Sequence, residues 1–313
     1  MTRVGITGGT GLIGHALVNA LRDRGDLVRV FTRDADRARR VLGDGIEPVE
    51  AYLESSGAWQ DHVSDCDALI HLAGESIAGE RWDSRRKQIL RDSRVESARF
   101  LAEAIGHTPR PLRPKVLVSA SGVDYYDFAQ PPFDDDEFVE TTAVGDTFLA
   151  RLCRDWEEEA RSAEEHGTRV VCMRTGVVLA PGGALTRMTG PFRFFAGGPI
   201  GSGKQWFSWI HLDDAVAAYL AALDDPRYAG PVNLVAPDEV RARDLARTLG
   251  KALGRPSWLP VPGFALRAAV GELADYLLHG RRVMPAALRR LGFSWRHPTL
   301  DGAIRAALEP RAA

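Results

Sequence analysis

The first residues whose types and spacing point to chemistry are eight near the start of the chain. Thr7 to Gly14 reads T-G-G-T-G-L-I-G, with Gly8, Gly11 and Gly14 in a G-x-x-G-x-x-G pattern. One such glycine permits a tight turn, a second lets the backbone come close to a bound group, and a third lets a helix pack against a strand. The run follows an apolar, β-branched stretch at Arg3 to Thr7 and precedes apolar residues at helical spacing from Leu12 to Arg24. A helix N-terminus with free N–H groups and partial positive charge would then face a pyrophosphate. The loop is therefore expected to bind a dinucleotide, through Gly8, Thr10, Gly11, Leu12, Ile13 and Gly14; a purely structural turn is the alternative.

Which dinucleotide binds is decided at the end of the next strand. An acid there accepts from ribose hydroxyls and selects NAD, whereas an arginine accommodates the 2′-phosphate of NADP. The strand ends Phe31-Thr32-Arg33, which places a hydroxyl and a guanidinium at that position and favours NADP(H). Asp34 follows at once, so a shift of one residue would restore the acid.

These residues need a frame to hold them. Short apolar runs at Arg3 to Thr7, Leu27 to Thr32, Ile46 to Tyr52, Asp67 to Leu72, Lys115 to Ala120 and Thr168 to Arg174 alternate with helical patterns at Leu12 to Arg24, Ser84 to Ile105 and Gly145 to His166. That alternation predicts βαβ units and a parallel sheet covered on both faces. Pro181 to Lys204, rich in Gly and Pro, reads as an irregular binding loop or lid. Leu212 to Leu223 reads as a helix capped by Asp213 or Asp214, and Val232 to Val235 as a further strand. The expected fold is α/β: a doubly wound, Rossmann-type parallel sheet with a small, mostly helical C-terminal lobe. Residues 1–180, completed by 211–236, would form the nucleotide-binding domain, 181–210 the lid, and 237–313 the lobe on the substrate side.

Composition excludes other classes. In 313 residues, 45% are hydrophobic and 26% charged, and 40 basic against 42 acidic residues leave a net charge of −2, so no general field attracts nucleic acid or an anionic membrane. Cys66, Cys153 and Cys172 are widely spaced in apolar segments and read as reduced core thiols. No run of 18 apolar residues and no signal-peptide pattern is present, so a cytoplasmic protein acting on a small molecule is expected.

Further motifs give the chain a resemblance. T-G-G-T-G-L-I-G, H-L-A-G-E at 71–75, R-W at 81–82, S-R at 93–94, S-A-S at 119–121 and R-T-G-V-V-L at 174–179 resemble an extended, atypical short-chain dehydrogenase/reductase. G-G-P-I-G-S-G-K-Q, S-W-I-H at 208–211, R-V-M-P and L-G-F narrow the resemblance to the subfamily called epimerase family proteins, or nucleoside-diphosphate-sugar epimerase-like proteins. It covers essentially the whole chain. It implies that Leu72, Ala73 and Gly74 pass along the cofactor ribose, that Arg94 approaches the cofactor, that Val178 sits near the nicotinamide, and that Thr32 and Arg33 meet the 2′-phosphate.

The chain departs from the wider superfamily in one respect that bears on mechanism. There a Tyr and a Lys four residues later share a helix face, and the ammonium lowers the phenol pKa. Here the basic set is 36 Arg and four Lys, and none of Lys87, Lys115, Lys204 and Lys251 stands four residues after a tyrosine. Leu149 and Cys153 occupy the positions expected for the pair. A hydride step would need another acid or base. Ser121 could hydrogen-bond a substrate oxygen. Tyr125 and Tyr126 could supply a neutral phenol, since the flanking Asp124 and Asp127 raise a phenol's pKa; a packed aromatic loop is the alternative. Glu75 could act as base or hold a ribose hydroxyl. His211 is expected to be structural, Asp134 to Glu137 a solvated loop, and no His/Cys/Asp set has metal-ligand spacing. The aromatics Phe192, Phe194, Phe195, Trp206, Phe207 and Trp209, with Arg187, Arg193 and Lys204 among them, suit either a substrate carrying a negative group or a packed lid. Two functions remain: an NADP(H)-dependent oxidoreductase or epimerase-like enzyme, and a non-catalytic NADPH sensor or scaffold.

Overall fold

The computed structural model describes residues 2–128 and 135–309. The five N-terminal strands are β1 (Arg3–Thr7), β2 (Leu27–Thr32), β3 (Glu47–Glu50), β4 (Ala68–His71) and β5 (Val116–Gly122). With Arg169–Thr175 and Gly230–Leu234 they form a seven-stranded sheet in the order Gly230–Leu234, Arg169–Thr175, β5, β4, β1, β2, β3. Every pairing is parallel. The order turns back between β1 and β4, which opens a crevice at the carboxyl ends of the strands, where an open α/β sheet binds ligands.

The helices that cover the sheet are α1 (Leu12–Asp23), α2 (Ala35–Leu42), α3 (Ser84–His107), α4 (Phe148–Arg161) and α6 (Leu212–Asp224), while α5 (Gly183–Arg193) packs against the C-terminal region. Successive strand residues point to opposite faces, so Ile70 and Val118 join Leu17, Leu21 and Ala218 in one core while Leu69 and Leu117 join Leu101 and Trp156 in the other. Both faces are dry, which explains why these strands read as unbroken apolar runs. Each fully buried Leu or Ile contributes roughly 1.5–3 kcal/mol relative to exposure. The three cysteines are free and buried within this frame.

Three sequence expectations need correction. The stretch from Pro181 is not irregular throughout, because α5 lies inside it. Leu185, Thr189 and Phe192 of α5 are buried. Flanking glycines, and Pro191 inside the helix, disguise that spacing. Helix α2 was not apparent from periodicity, since only Ala38 and Leu42 of it are buried. Finally, α6 is capped by His211, whose side chain accepts from the Asp213 N–H; Asp213 and Asp214 instead lie in the first turn.

The C-terminal region adds α7 (Ala242–Leu253), α8 (Gly263–Val270), α9 (Leu273–Leu278), α10 (Ala286–Leu291) and α11 (Leu300–Leu308). Leu245 and Leu249 of α7 and Leu300 and Ile304 of α11 share a core with Leu185 and Phe192 of α5 and with Trp209. Ala287 and Leu288 of α10 return to the main sheet core. The region is thus tied both to α5 and to the sheet.

Candidate functional site

The glycine loop begins where β1 ends. Gly8 has φ +66°, and a Cβ there would lie 2.7 Å from Leu72 C and 2.8 Å from Leu72 O. A Cβ at Gly14 would lie 2.2 Å from Gly8 O. Only glycine fits either place, so the loop is packed against the β4 end without side chains between. Helix α1 starts at Gly11 with no side-chain cap and no acid in its first turn. Its first N–H groups and dipole are therefore left open to an anion. Beside them Thr10, Gly11, Leu12, His15, Ala16, Pro181 and Leu212 line a cleft of about 290 Å³.

A buried relay fixes the opposite wall. Thr7 Oγ1 accepts the N–H groups of Leu72 and Ala73 at 3.1 and 3.2 Å and lies 2.8 Å from His71 Nδ1. With both lone pairs of the hydroxyl in use, Thr7 donates to Nδ1, and the neutral ring directs its Nε2–H to Ser97 Oγ at 3.2 Å. Ser97 in turn donates to Ser93 O. Burial pushes His71 down to about 4, which keeps the ring neutral. The relay ties β1, β4 and α3 together and sets the course of the Leu72 to Gly74 backbone.

At the β2 end, the Asp34 carboxylate accepts the Arg37 N–H at 2.8 Å and caps α2. The acid next to Arg33 is therefore spent on a helix, and Arg33 is the charged group facing outward, 65% exposed along its side chain. Its Nη2 lies 3.4 Å from Glu75 Oε1. Arg94, on α3, is half-buried; its Nη2 donates to Glu75 O at 2.8 Å and its guanidinium packs over Trp156 and under Gly74. Val178 is half-buried on a short strand, Val177–Leu179, that pairs with Trp209–His211.

The β5 end is built differently. Arg174 makes a two-pronged pair with Glu157, both contacts 2.8 Å, and its Nη1 donates to Tyr126 Oη at 2.9 Å. Tyr126 donates to Asn233 Oδ1 at 2.6 Å, and Ser121 donates to Glu157 Oε1 at 2.7 Å. Glu140 Oε1 completes the set by accepting from Asn233 N and Ala287 N. Tyr126 is fully buried and Ser121 is 6% exposed. The expectation that Tyr126 stands free as a proton donor is thus corrected: its hydroxyl is consumed in the core, and burial pushes its pKa up to about 12 against the pull of Arg174. Ser121 keeps only acceptor capacity. Tyr125 is the half-buried phenol of the pair, its ring face 3.4 Å from the Arg174 guanidinium.

Leu149 and Cys153 are buried on α4, and burial pushes the Cys153 thiol up to about 12. Two groups that local spacing could not reveal come from the C-terminal region. Tyr276 Oη accepts the Leu149 N–H at 3.1 Å, which puts a phenol at the first turn of α4. Arg281 pairs with Asp124 at 3.0 Å and donates to Tyr126 O, which pins the loop after β5. No spacing signal joins residues so far apart.

The remaining candidates sort by burial. Phe192 and Trp209 are core, whereas Phe194 and Phe195 are 83% and 58% exposed. Arg187 of α5 donates to Ala78 O at 2.6 Å. Asp134 lies outside the described residues; Asp135, Asp136 and Glu137 are exposed, with Asp135 paired to Arg241 and Glu137 3.5 Å from Arg282 at the surface. His211 and Asp213 do gather with the remote His297: Asp213 Oδ2 lies 3.7 Å from His211 Nδ1 and 3.4 Å from His297 Nε2. His211 Nδ1 already accepts the Asp213 N–H, and the helix N-terminus disfavours a cation, so no metal is assigned there.

Residues 4–234 match the family model described as the NAD dependent epimerase/dehydratase family, and residues 261–307 match a domain of unknown function, DUF1731. An Arabidopsis thaliana protein described as an epimerase family protein SDR39U1 homolog, chloroplastic, is 40% identical over 98% of this chain and 86% of its own. The epimerase family protein Mb2239 of Mycobacterium bovis is 40% identical over 96% of each chain. The crystal structure of human epimerase family protein SDR39U1 (isoform 2) with NADPH has a TM-score of 0.84 at 34% identity, over 97% of this chain and 98% of that one. Among the described residues no helix is long and apolar enough to cross a membrane.

Proposed function

Because the chain belongs to the NAD dependent epimerase/dehydratase family, we propose that it binds NADP(H) at its glycine loop and acts as an oxidoreductase or epimerase-like enzyme on a small carbonyl or hydroxyl compound. The observation that carries the choice of cofactor is the capping of α2 by Asp34, which leaves Arg33 as the charged group at the β2 end. The relative solved with NADPH supports it. Gly8, Thr10, Gly11, Leu12, Ile13 and Gly14 would hold the diphosphate, Thr32 and Arg33 the 2′-phosphate, and Leu72, Ala73 and Gly74 the ribose, with Arg94 approaching the cofactor and Val178 near the nicotinamide. When bound, the cofactor donates or accepts a hydride. The chain's own part is to exclude water beneath Arg187 and α5 and to offer a polar edge from Tyr125 and the acceptor face of Ser121.

A second reading, a non-catalytic NADPH-binding sensor, is favoured by the commitment of Tyr126 and Ser121 to the buried network. Titration with NADPH and NADH tests the common part: Arg33→Ala is expected to weaken NADPH about tenfold or more and to leave NADH within a factor of two. Turnover of any member of a carbonyl panel, reduced in Tyr125→Phe, supports the enzyme; tight NADPH binding with no absorbance loss in a single turnover against the whole panel supports the sensor.

A further inference from the structure

Strands β2 and β4 deliver Arg33 and Glu75 to opposite sides of the crevice, and β1 runs between them. The Arg33–Glu75 contact therefore reaches across the carboxyl end of β1, over the start of the glycine loop. Glu75 also has a second arginine within reach: Arg86 Nη1 lies 3.8 Å from its Oε2. Arg86 is only 10% exposed along its side chain; its Nη2 donates to Ser76 O at 2.6 Å and its Nε lies 3.9 Å from Glu80 Oε2, which leaves Nη1 toward Glu75. The Glu75 backbone is held at both ends, its N–H donating to Ser93 Oγ at 3.1 Å and its carbonyl accepting from Arg94 at 2.8 Å. Only the carboxylate is left to move, and it stands between one exposed arginine and one buried one.

We propose that Glu75 is a built-in counter-anion that sets this chain's discrimination between NADPH and NADH. It holds Arg33 while the site is empty and passes to Arg86 when a 2′-phosphate takes Arg33. The proposal rests on the reading of Arg33 as the 2′-phosphate contact. The exchange is favourable because a single exposed contact at 3.4 Å is weak, whereas a phosphate offers arginine shorter, charge-assisted bonds. Arg86 favours the release: with Arg94 it keeps positive charge beside the freed carboxylate, which otherwise faces a phosphate dianion across the crevice. NADH lacks the phosphate and does not compete for Arg33, so the competition acts on NADPH alone.

The test is titration of the full chain with NADPH and NADH. Glu75→Gln, which keeps the shape and removes the charge, is expected to tighten NADPH about three- to tenfold and leave NADH within twofold. On an Arg33→Ala background the same change is expected to do nothing. An unchanged NADPH/NADH ratio in Glu75→Gln overturns the proposal, and so does a parallel loss of both coenzymes, which is what a structural role predicts. Should Glu75→Gln not fold, Arg86→Gln gives the opposite sign, NADPH weakened about three- to tenfold with NADH unchanged; no selective change overturns the idea. If Arg33→Ala itself leaves the ratio unaltered, the cofactor reading fails, and that outcome is distinct from failure of Glu75→Gln alone.

Discussion

Two neighbouring stretches of the sheet's carboxyl edge are built in opposite ways. At the ends of β1, β2 and β4 the polar groups are open: uncapped N–H groups on α1, an outward Arg33, and a loop in which Gly8 and Gly14 admit no side chain. At the ends of β5 and Arg169–Thr175 the polar groups are closed upon one another, from Glu140 through Asn233, Tyr126 and Arg174 to Glu157 and Ser121. The same sheet thus carries an edge whose polar groups stay open and an edge whose charges neutralise each other internally. Polar residues near a crevice are no guide to chemistry until their partners are counted.

The contrast can be broken most forcefully at Glu157. Glu157→Gln leaves the buried Arg174 charge without its counter-ion and is expected to cost about 3–5 kcal/mol of stability by denaturant unfolding. NADPH affinity of the folded fraction should stay within twofold; a large affinity loss would mean that the two edges are one unit. The next largest effect is one of pH. His71 has a folded value of about 4 against an ordinary 6.5, so the unfolded chain binds the extra proton, and stability is lost as pH falls from 6.5 toward 4, by at most about 3 kcal/mol. His71→Gln should flatten that part of the profile in unfolding measured between pH 7 and 5.

Gly14→Ala sharpens the comparison from the open side. Its Cβ would meet Gly8 O at 2.2 Å, so the loop must shift, and NADPH affinity is expected to fall at least about tenfold, roughly 1.4 kcal/mol, in a fluorescence titration. The smallest effect belongs to Tyr126→Phe, which removes one partner from Arg174 and one from Asn233 and should cost about 1 kcal/mol with NADPH binding unchanged. A turnover loss in that variant greater than its loss of folded protein would restore Tyr126 to the reaction.

What was legible in the sequence follows from how local each feature is. The strands and the glycine loop announce themselves because burial on both faces and close backbone approach each impose residue types over a few consecutive positions, as in Ile6 to Gly14. The choice between Arg33 and Asp34 could not be read so directly, because it depended on Asp34 turning to cap α2, a helix with only two buried residues. The closed network was invisible for a different reason. Ser121, Tyr126, Glu140, Glu157, Arg174 and Asn233 come from separate segments, and only the sheet order makes them neighbours. Tyr276 and Arg281 reach the β5 edge from the far end of the chain, and no periodicity reports that.

The three thiols have a practical consequence. Cys66 and Cys172 lie in one core and Cys153 against the β5 end; all are buried, and burial raises each pKa so that little thiolate exists at neutral pH. A thiol-directed dye finds no target in the folded molecule and reacts only as segments open. The labelling rate of each cysteine is therefore a clock for the opening of its own region, with no engineered probe required.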